Sequence, residues 1–325
     1  MSRPTLLISL GTLFLWASNA SAQQEINFSH AGEPGSLYDR SAQEFAKRAN
    51  ERLGDKARVT VYASSQLGGD FEIMKKLKLG TLDLGLPSSV MSSYLPSFGI
   101  FEMPHLVKDR AHMARIRDEI VLPILAPAVK KVGYQIVAVW ENGFRHITNS
   151  KRPIVKPDDL SGLNLRVPQG GWRVKMFQAY GVNPTPLAYS EVYLALQTGA
   201  MDGQENPLAQ IYPGKLYEVQ KFLSLSGHVY SPAYLMAGKN WESMSPEIRK
   251  IVSEEADAMQ PIAARLGTDL DQEFLKKLKD AGMVVNDVDQ DAFAKASEKI
   301  YQEFATEVPE AKMLLNKAMG LGKSS

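Results

Sequence analysis

Between residues 26 and 86 the chain alternates strand-like and helix-like runs in the order β-α-β-α-β, and this order constrains the fold most. Ile26-Asn27-Phe28 and residues 58–62 (RVTVY) alternate at the period of a strand, and residues 82–86 form a short apolar run. Between them, Ser36 stands where it caps a helix carrying Tyr38, Ala42, Phe45, Ala46 and Ala49 on one face. Asp70 is placed to cap a second helix, with Ile73, Met74 and Leu77 at helical spacing and Gly80 at its end. Strands joined by crossover helices pair in parallel, with right-handed connections.

The alternation then restarts. A helical pattern covers about residues 110–132, and residues 134–140 (YQIVAVW) are almost all apolar, as in a strand covered on both faces. Residues 163–167 read as a strand, 172–180 as a helix, 182–186 as extended, 191–197 as a helix and 201–205 as extended. This is a second, smaller α/β unit. Apolar residues at steps of three and four over 248–278 predict a long helix, which Pro261 is expected to kink or break. Short helices over 291–305 and 310–318 close the chain.

The N-terminus sets the compartment. Arg3, an apolar run over residues 6–16 and the small-x-small pattern Ala20-Ser21-Ala22 read as a secretory signal peptide cleaved after Ala22. The run is short of the roughly 20 residues that span a bilayer. A formal net charge of +1 argues against nucleic acid or an anionic membrane as the main partner. With no cysteine, thiol catalysis and thiolate metal sites are excluded. The five histidines show no metal-ligand spacing, no Gly-x-Ser-x-Gly elbow appears, and Gly68-Gly69 is only a loop break. No catalytic residue, metal or cofactor is therefore expected.

In open α/β sheets, ligands sit beyond the carboxyl ends of the strands. Arg145, Arg166 and Asn206 all fall near predicted strand ends. Arg166, in Leu165-Arg166-Val167-Pro168, offers a planar fork that matches a carboxylate with two parallel hydrogen bonds. Position alone leaves it open to being a solvated surface arginine or a structural ion pair. Asn206 is a ligand donor or a turn former before Pro207, and Tyr189 and Trp172 are stacking or core aromatics. His30, just after the first strand, is placed to face a ligand.

An ordered set of motifs covers nearly the whole exported chain. It comprises Ser65-Gln66-Leu67-Gly68, Gly80-Thr81-Leu82-Asp83, Arg145 through Thr148-Asn149 to Arg152-Pro153-Ile154, Gly162-Leu163-Asn164-Leu165-Arg166-Val167-Pro168, and Glu191-Val192-Tyr193 through Asn206-Pro207. In these the chain resembles the solute-binding proteins of TRAP (tripartite ATP-independent periplasmic) transporters, DctP type. The resemblance implies two α/β domains joined by crossing strands, with a long helix packed across both. It implies boundaries at 23–143 with 234–272 for one domain and 144–233 with 273–325 for the other. It implies a carboxylate held by Arg166, supported by Arg145 and Asn206, with Tyr189 and Gln169 lining the site. It also implies a periplasmic location and, as partners, the small and large membrane subunits of a TRAP permease.

Sialic-acid-binding members of that family carry a Glu and an Arg where this chain has Pro87-Ser88-Ser89-Val90-Met91, and an Asn that is absent from Ser29-His30-Ala31-Gly32-Glu33. This speaks against sialic acid. The remaining lining (Ser88, Ser89, Gln169, Asn206, with His30 and Glu33) favours a sugar acid such as D-glucuronate or D-galacturonate. A C4-dicarboxylate, its second charge on Arg145 and His30, is the alternative. An exported uronate-processing enzyme is the rival class, opposed by the missing catalytic motifs.

Overall fold

The expected first unit forms as a parallel sheet. β1 (Gln24–Ser29) pairs in parallel with β2 (Ala57–Tyr62) and with β3 (Leu84–Gly85). The computed structural model describes residues 23–323, so the signal-peptide reading lies outside the described residues. Ser36 caps the helix Leu37–Leu53, accepting from the Asp39 amide, and that helix buries Tyr38, Ala42, Phe45, Ala46 and Ala49. Asp70 departs from its expected role. The cap of the helix Asp70–Leu79 is Gly69, and Asp70 is the first helical residue, its carboxyl turned to Ser88 instead.

β4 (Gln135–Asn149) joins the two halves. It was expected to stop near Trp140 but runs on through Glu141 and Arg145. Charged residues in sequence read as a strand leaving the core, yet both are buried here because each has an ion-pair partner. Arg145 therefore sits inside a strand rather than near its end. Residues 135–144 of β4 pair antiparallel with β9 (Tyr230–Ala237), which borders β3, and residues 145–149 pair antiparallel with β7 (Gly203–Pro207). β7 leads to β5 (Asn164–Val167) and β6 (Asn183–Pro186), all three aligned in parallel across β5. β8 (Phe222–Leu225) pairs with both β4 and β10 (Val284–Asp287). The strand order is β2-β1-β3-β9-β4-β7-β5-β6, so one continuous strand belongs to the sheet of each half. The protein is a two-domain α/β fold.

The helical pattern over 110–132 is realised as Arg110–Ile116, a π-helical stretch Arg117–Leu125 containing Pro123, and Ala126–Lys131. The long helix Pro246–Asp280 is unbroken over 35 residues. Pro261 is exposed, so its ring meets solvent, and the Gln260 side-chain amide donates at 3.5 Å to the Asp257 carbonyl that Pro261 leaves without a backbone partner. The helix spans both halves. Ile248, Val252, Ala256, Met259 and Ala263 pack with Phe28, Phe45 and Trp140 of the first core, and Leu270, Phe274 and Leu278 pack with Val192, Ile211 and Leu223 of the second. Trp140 Nε1 donates to the Ala256 carbonyl at 2.9 Å and ties the helix to β4.

Gly267 lets the helix lie over the Glu141–Arg110 pair. A Cβ there would come within 2.8 Å of the Glu141 carboxyl carbon and 3.2 Å of Arg110 Nη2. Gly267→Val should therefore lower the unfolding free energy by about 1–3 kcal/mol, the usual cost of overpacking. Urea denaturation of the two proteins measures it.

Candidate functional site

A cavity opens between the halves, lined by residues of both. One wall is built by Ala31 and Gly32 beyond β1, Tyr38, Asp70, and Ser88, Ser89 and Val90 beyond β3. The other is built by Asn142 and Arg145 of β4, Arg166, Pro168 and Gln169 at the end of β5, Leu187, Ala188 and Tyr189 beyond β6, and Asn206 and Gln210. The parallel strands deliver their carboxyl ends to it, as the topology requires.

Arg166 is only 3 % exposed and, among the described residues, has no carboxylate ion-pair partner. Its Nε and Nη2 donate to one carbonyl, Leu187 O, at 3.0 and 2.6 Å. Burial, then the charge of Arg145, pushes its pKa down to about 10. A buried guanidinium held by a carbonyl alone carries a desolvation cost that an anion would offset.

Arg145 is the opposite case. Its Nε meets Glu205 Oε2 at 2.5 Å, and its Nη2 meets Glu205 Oε1 at 2.9 Å, the Glu205 carbonyl at 2.6 Å and Asn206 Oδ1 at 3.0 Å. Glu205, fully buried, also accepts from Arg173 at 2.7 Å and contacts His228 Nε2 at 3.0 Å. Burial alone would raise the Glu205 carboxyl, but Arg145 and Arg173 outweigh it and hold it well below the carboxylate range. Arg173 in turn reaches Glu102 at 2.8 Å. The charge of Arg145 is thus compensated within the protein.

The remaining polar lining is oriented by neighbours. Asn206 Nδ2 donates to Gln204 Oε1 at 2.5 Å, Tyr189 OH donates to Gln210 O at 2.8 Å, and Ser88 Oγ donates to Pro232 O at 2.7 Å. Ser89 Oγ and Gln210 Oε1 are buried without a protein partner. The structure thus brings Arg166, Arg145, Asn206, Gln169, Tyr189, Ser88 and Ser89 to one cavity. It does not bring His30 or Glu33. The His30 ring is fully buried edge-on to Phe28 and Tyr38, and burial lowers its pKa to about 4. Glu33 lies off the wall and accepts from Ser64 Oγ at 2.7 Å. Trp172 is core, stacked edge-on against Phe304 at 5.2 Å.

Sequence reasoning missed Asp70, Tyr38, Asn142 and Gln210. Asn142 adjoins Arg145 in Glu141-Asn142-Gly143-Phe144-Arg145, but nothing in the local pattern marks the other three. Asp70 is the most consequential. Its Oδ2 accepts from the Ser88 amide at 3.4 Å, its Oδ1 is buried without a partner, and burial pushes its pKa up to about 6.

A family model for bacterial extracellular solute-binding proteins of family 7 (DctP) matches residues 28–307. The chain belongs to this family. It is 29% identical over 315 residues to the 2,3-diketo-L-gulonate-binding periplasmic protein YiaO of Escherichia coli K12, covering 96% of each chain. Two solved TRAP solute-binding proteins superpose closely. One, from Sulfurospirillum deleyianum with bound succinate, has a TM-score of 0.88 at 31% identity, covering 92% of this chain and 99% of that one. The other, from Chromohalobacter salexigens with bound D-glucuronate, has a TM-score of 0.87 at 28% identity, covering 91% and 99%. The family is one of binding proteins. Among the described residues no helix is long and apolar enough to cross a membrane, and no group of acidic or histidine side chains is arranged to hold a metal ion.

The raised pKa of Asp70 has a stability consequence in this solute-binding protein. The folded value lies above the ordinary 3.8, so the cost of the charged carboxyl is fully present above about pH 6 and disappears below about pH 4. Asp70→Asn should stabilise the unliganded protein by about 3 kcal/mol at pH 7, an effect that fades as the pH falls through 6 to 4 and is gone by about pH 3. Thermal unfolding of both proteins across that range tests this.

Proposed function

We propose that this solute-binding protein captures a hydroxylated monocarboxylic acid, a sugar acid such as D-glucuronate or D-galacturonate, and hands it to the small and large membrane subunits of a TRAP permease. The observation that carries this reading is Arg166, a guanidinium without an ion-pair partner among the described residues, facing a cavity whose other lining is uncharged apart from Asp70 and the Glu205-paired Arg145. Arg166 takes the ligand carboxylate through its free edge while Leu187 O holds the other edge. Arg145, neutralised by Glu205, supports the carboxylate and orients Asn206, which hydrogen-bonds it or a neighbouring hydroxyl. Ser88, Ser89, Gln169 and Gln210 read ring hydroxyls, and Tyr189 covers an apolar face of the sugar. Export to the periplasm after cleavage behind Ala22 accompanies this function.

A C4-dicarboxylate needs a second cation. His30 is enclosed and neutral, and Arg145 is already paired, so neither residue favours a second negative charge. The succinate-bound structure among the similar proteins makes dicarboxylates the comparison arm of the test. The cavity draws on both halves, 23–143 with 234–272 and 144–233 with 273–325. Closure about β4 and the long helix then follows ligand capture, because only the closed form makes both sets of contacts.

Calorimetric titration against uronates, aldonates and C4-dicarboxylates tests the reading. Sugar acids should bind, and Arg166→Ala should weaken them at least about tenfold, since each lost charge-assisted hydrogen bond contributes roughly 1.5–3 kcal/mol. Arg166→Lys should also lose affinity, because an ammonium lacks the fork. Tight dicarboxylate binding without sugar-acid binding would overturn the ligand class. Unchanged affinity in both variants would remove Arg166 from the site.

A further inference from the structure

We propose that Asp70 takes up a proton when an acid anion seats on Arg166, so that the cleft binds anion and proton together and loses affinity as the medium turns alkaline. The inference rests on the carboxylate reading of the site and deepens it.

The geometry supplies the reason. Asp70 stands on the cavity wall with one carboxyl oxygen buried and unpartnered, and the other holding only a long hydrogen bond from the Ser88 amide. The charges that face it are Arg166 of β5, Arg145 of β4 and Glu72 of its own helix; Tyr38 and Tyr94 also face it, and burial keeps both phenols neutral. Arg145 is offset by Glu205, and Arg173 behind it by Glu102 and Glu205. Among the described residues, Arg166 is therefore the one uncompensated cation near Asp70. A ligand carboxylate that takes the Arg166 fork removes that counter-charge and adds a second negative charge to the same desolvated space. Two acid groups that share one cation in such a space do not both stay ionised. The ligand carboxylate has the bidentate partner, so it remains charged. Asp70 lacks any strong donor, and it takes the proton from solvent. Its helix N-terminus opposes this, but that effect is small beside burial and a neighbouring anion. Once protonated, Oδ1 gains an O–H that donates to a ligand hydroxyl or ring oxygen, which an ionised carboxylate cannot do.

The pH window follows. The unliganded carboxyl already titrates near about 6, and bound ligand moves it higher. Affinity should fall by up to about tenfold per pH unit between about pH 6, where free Asp70 titrates, and the higher range where liganded Asp70 titrates, and level off on either side of that window. His30, His105 and His146 do not compete, since burial lowers them to about 4, 4 and 3. Glu102 is also raised by burial, which makes an Asp70 variant the necessary control.

The test is calorimetry of the mature protein with D-glucuronate, with the same sugar-acid and dicarboxylate panel behind it. Titrations at pH 7.5 in phosphate and in Tris, buffers of very different ionisation heat, count the protons taken up; a pH series from 6 to 8.5 gives the affinity profile. The wild-type protein should take up a substantial fraction of one proton per ligand and weaken towards pH 8.5. Asp70→Asn and Asp70→Ser should take up none and bind with a flat profile. Ligand binding without proton uptake in the wild type would overturn the proposal and leave the sugar-acid reading standing. Uptake retained in both variants would overturn it by assigning the proton elsewhere. Failure of every acid in the panel to bind would overturn the underlying reading, and the proposal with it.

Discussion

Glu205 is the carboxylate on which the arrangement of the cleft depends. It is fully buried, accepts from Arg145 and Arg173, and contacts His228, so one anion organises side chains from β4, β7, the helix Gly171–Ala179 and the loop before β9. A buried charge is tolerable only with partners, and removing one partner of such a group typically costs about 3–5 kcal/mol. The network therefore holds its geometry firmly. It also decides which arginine is free. By consuming the fork of Arg145, Glu205 leaves Arg166 as the cavity-lining arginine without an ion-pair partner among the described residues.

The same network lies where the halves meet. β4 carries Arg145 at the residue where its pairing passes from β9 to β7, and Arg173 bridges to Glu102 on the segment Pro96–Glu102. The long helix braces the other side of this strand through Trp140 and the Glu141–Arg110–Asp271 cluster. The crossing strand that joins the halves is thus the one that carries these buried ionic contacts.

Much of the fold was legible because periodicity survives in short windows. Ser36, Gly80, the apolar spacing of residues 73–77 and the steps over 248–278 each report a local geometry that the structure keeps. The misreadings share one cause. Glu141 and Arg145 look like the end of a buried strand, and Pro261 like a helix break, because local rules assume that charge meets water and that a lost backbone hydrogen bond stays lost. Ion-pair partners far along the chain, Arg110 and Glu205, reverse the first assumption, and the Gln260 side chain reverses the second. In the site, the family-like motifs marked Arg166, Arg145, Asn206, Gln169 and Tyr189. His30 and Glu33 had the right place in sequence, yet neither is among the residues that line the cavity.

The sequence alone determined the α/β alternation and the exclusion of thiol chemistry, because each rests on residue type and on spacing within a few turns or strands. The tertiary structure alone decided which arginine is neutralised, that Asp70 faces the cavity instead of capping its helix, and that His30 does not. Those are matters of desolvation and of which charges lie side by side. Such distances are set by contacts between residues far apart in the chain, and no local pattern encodes them.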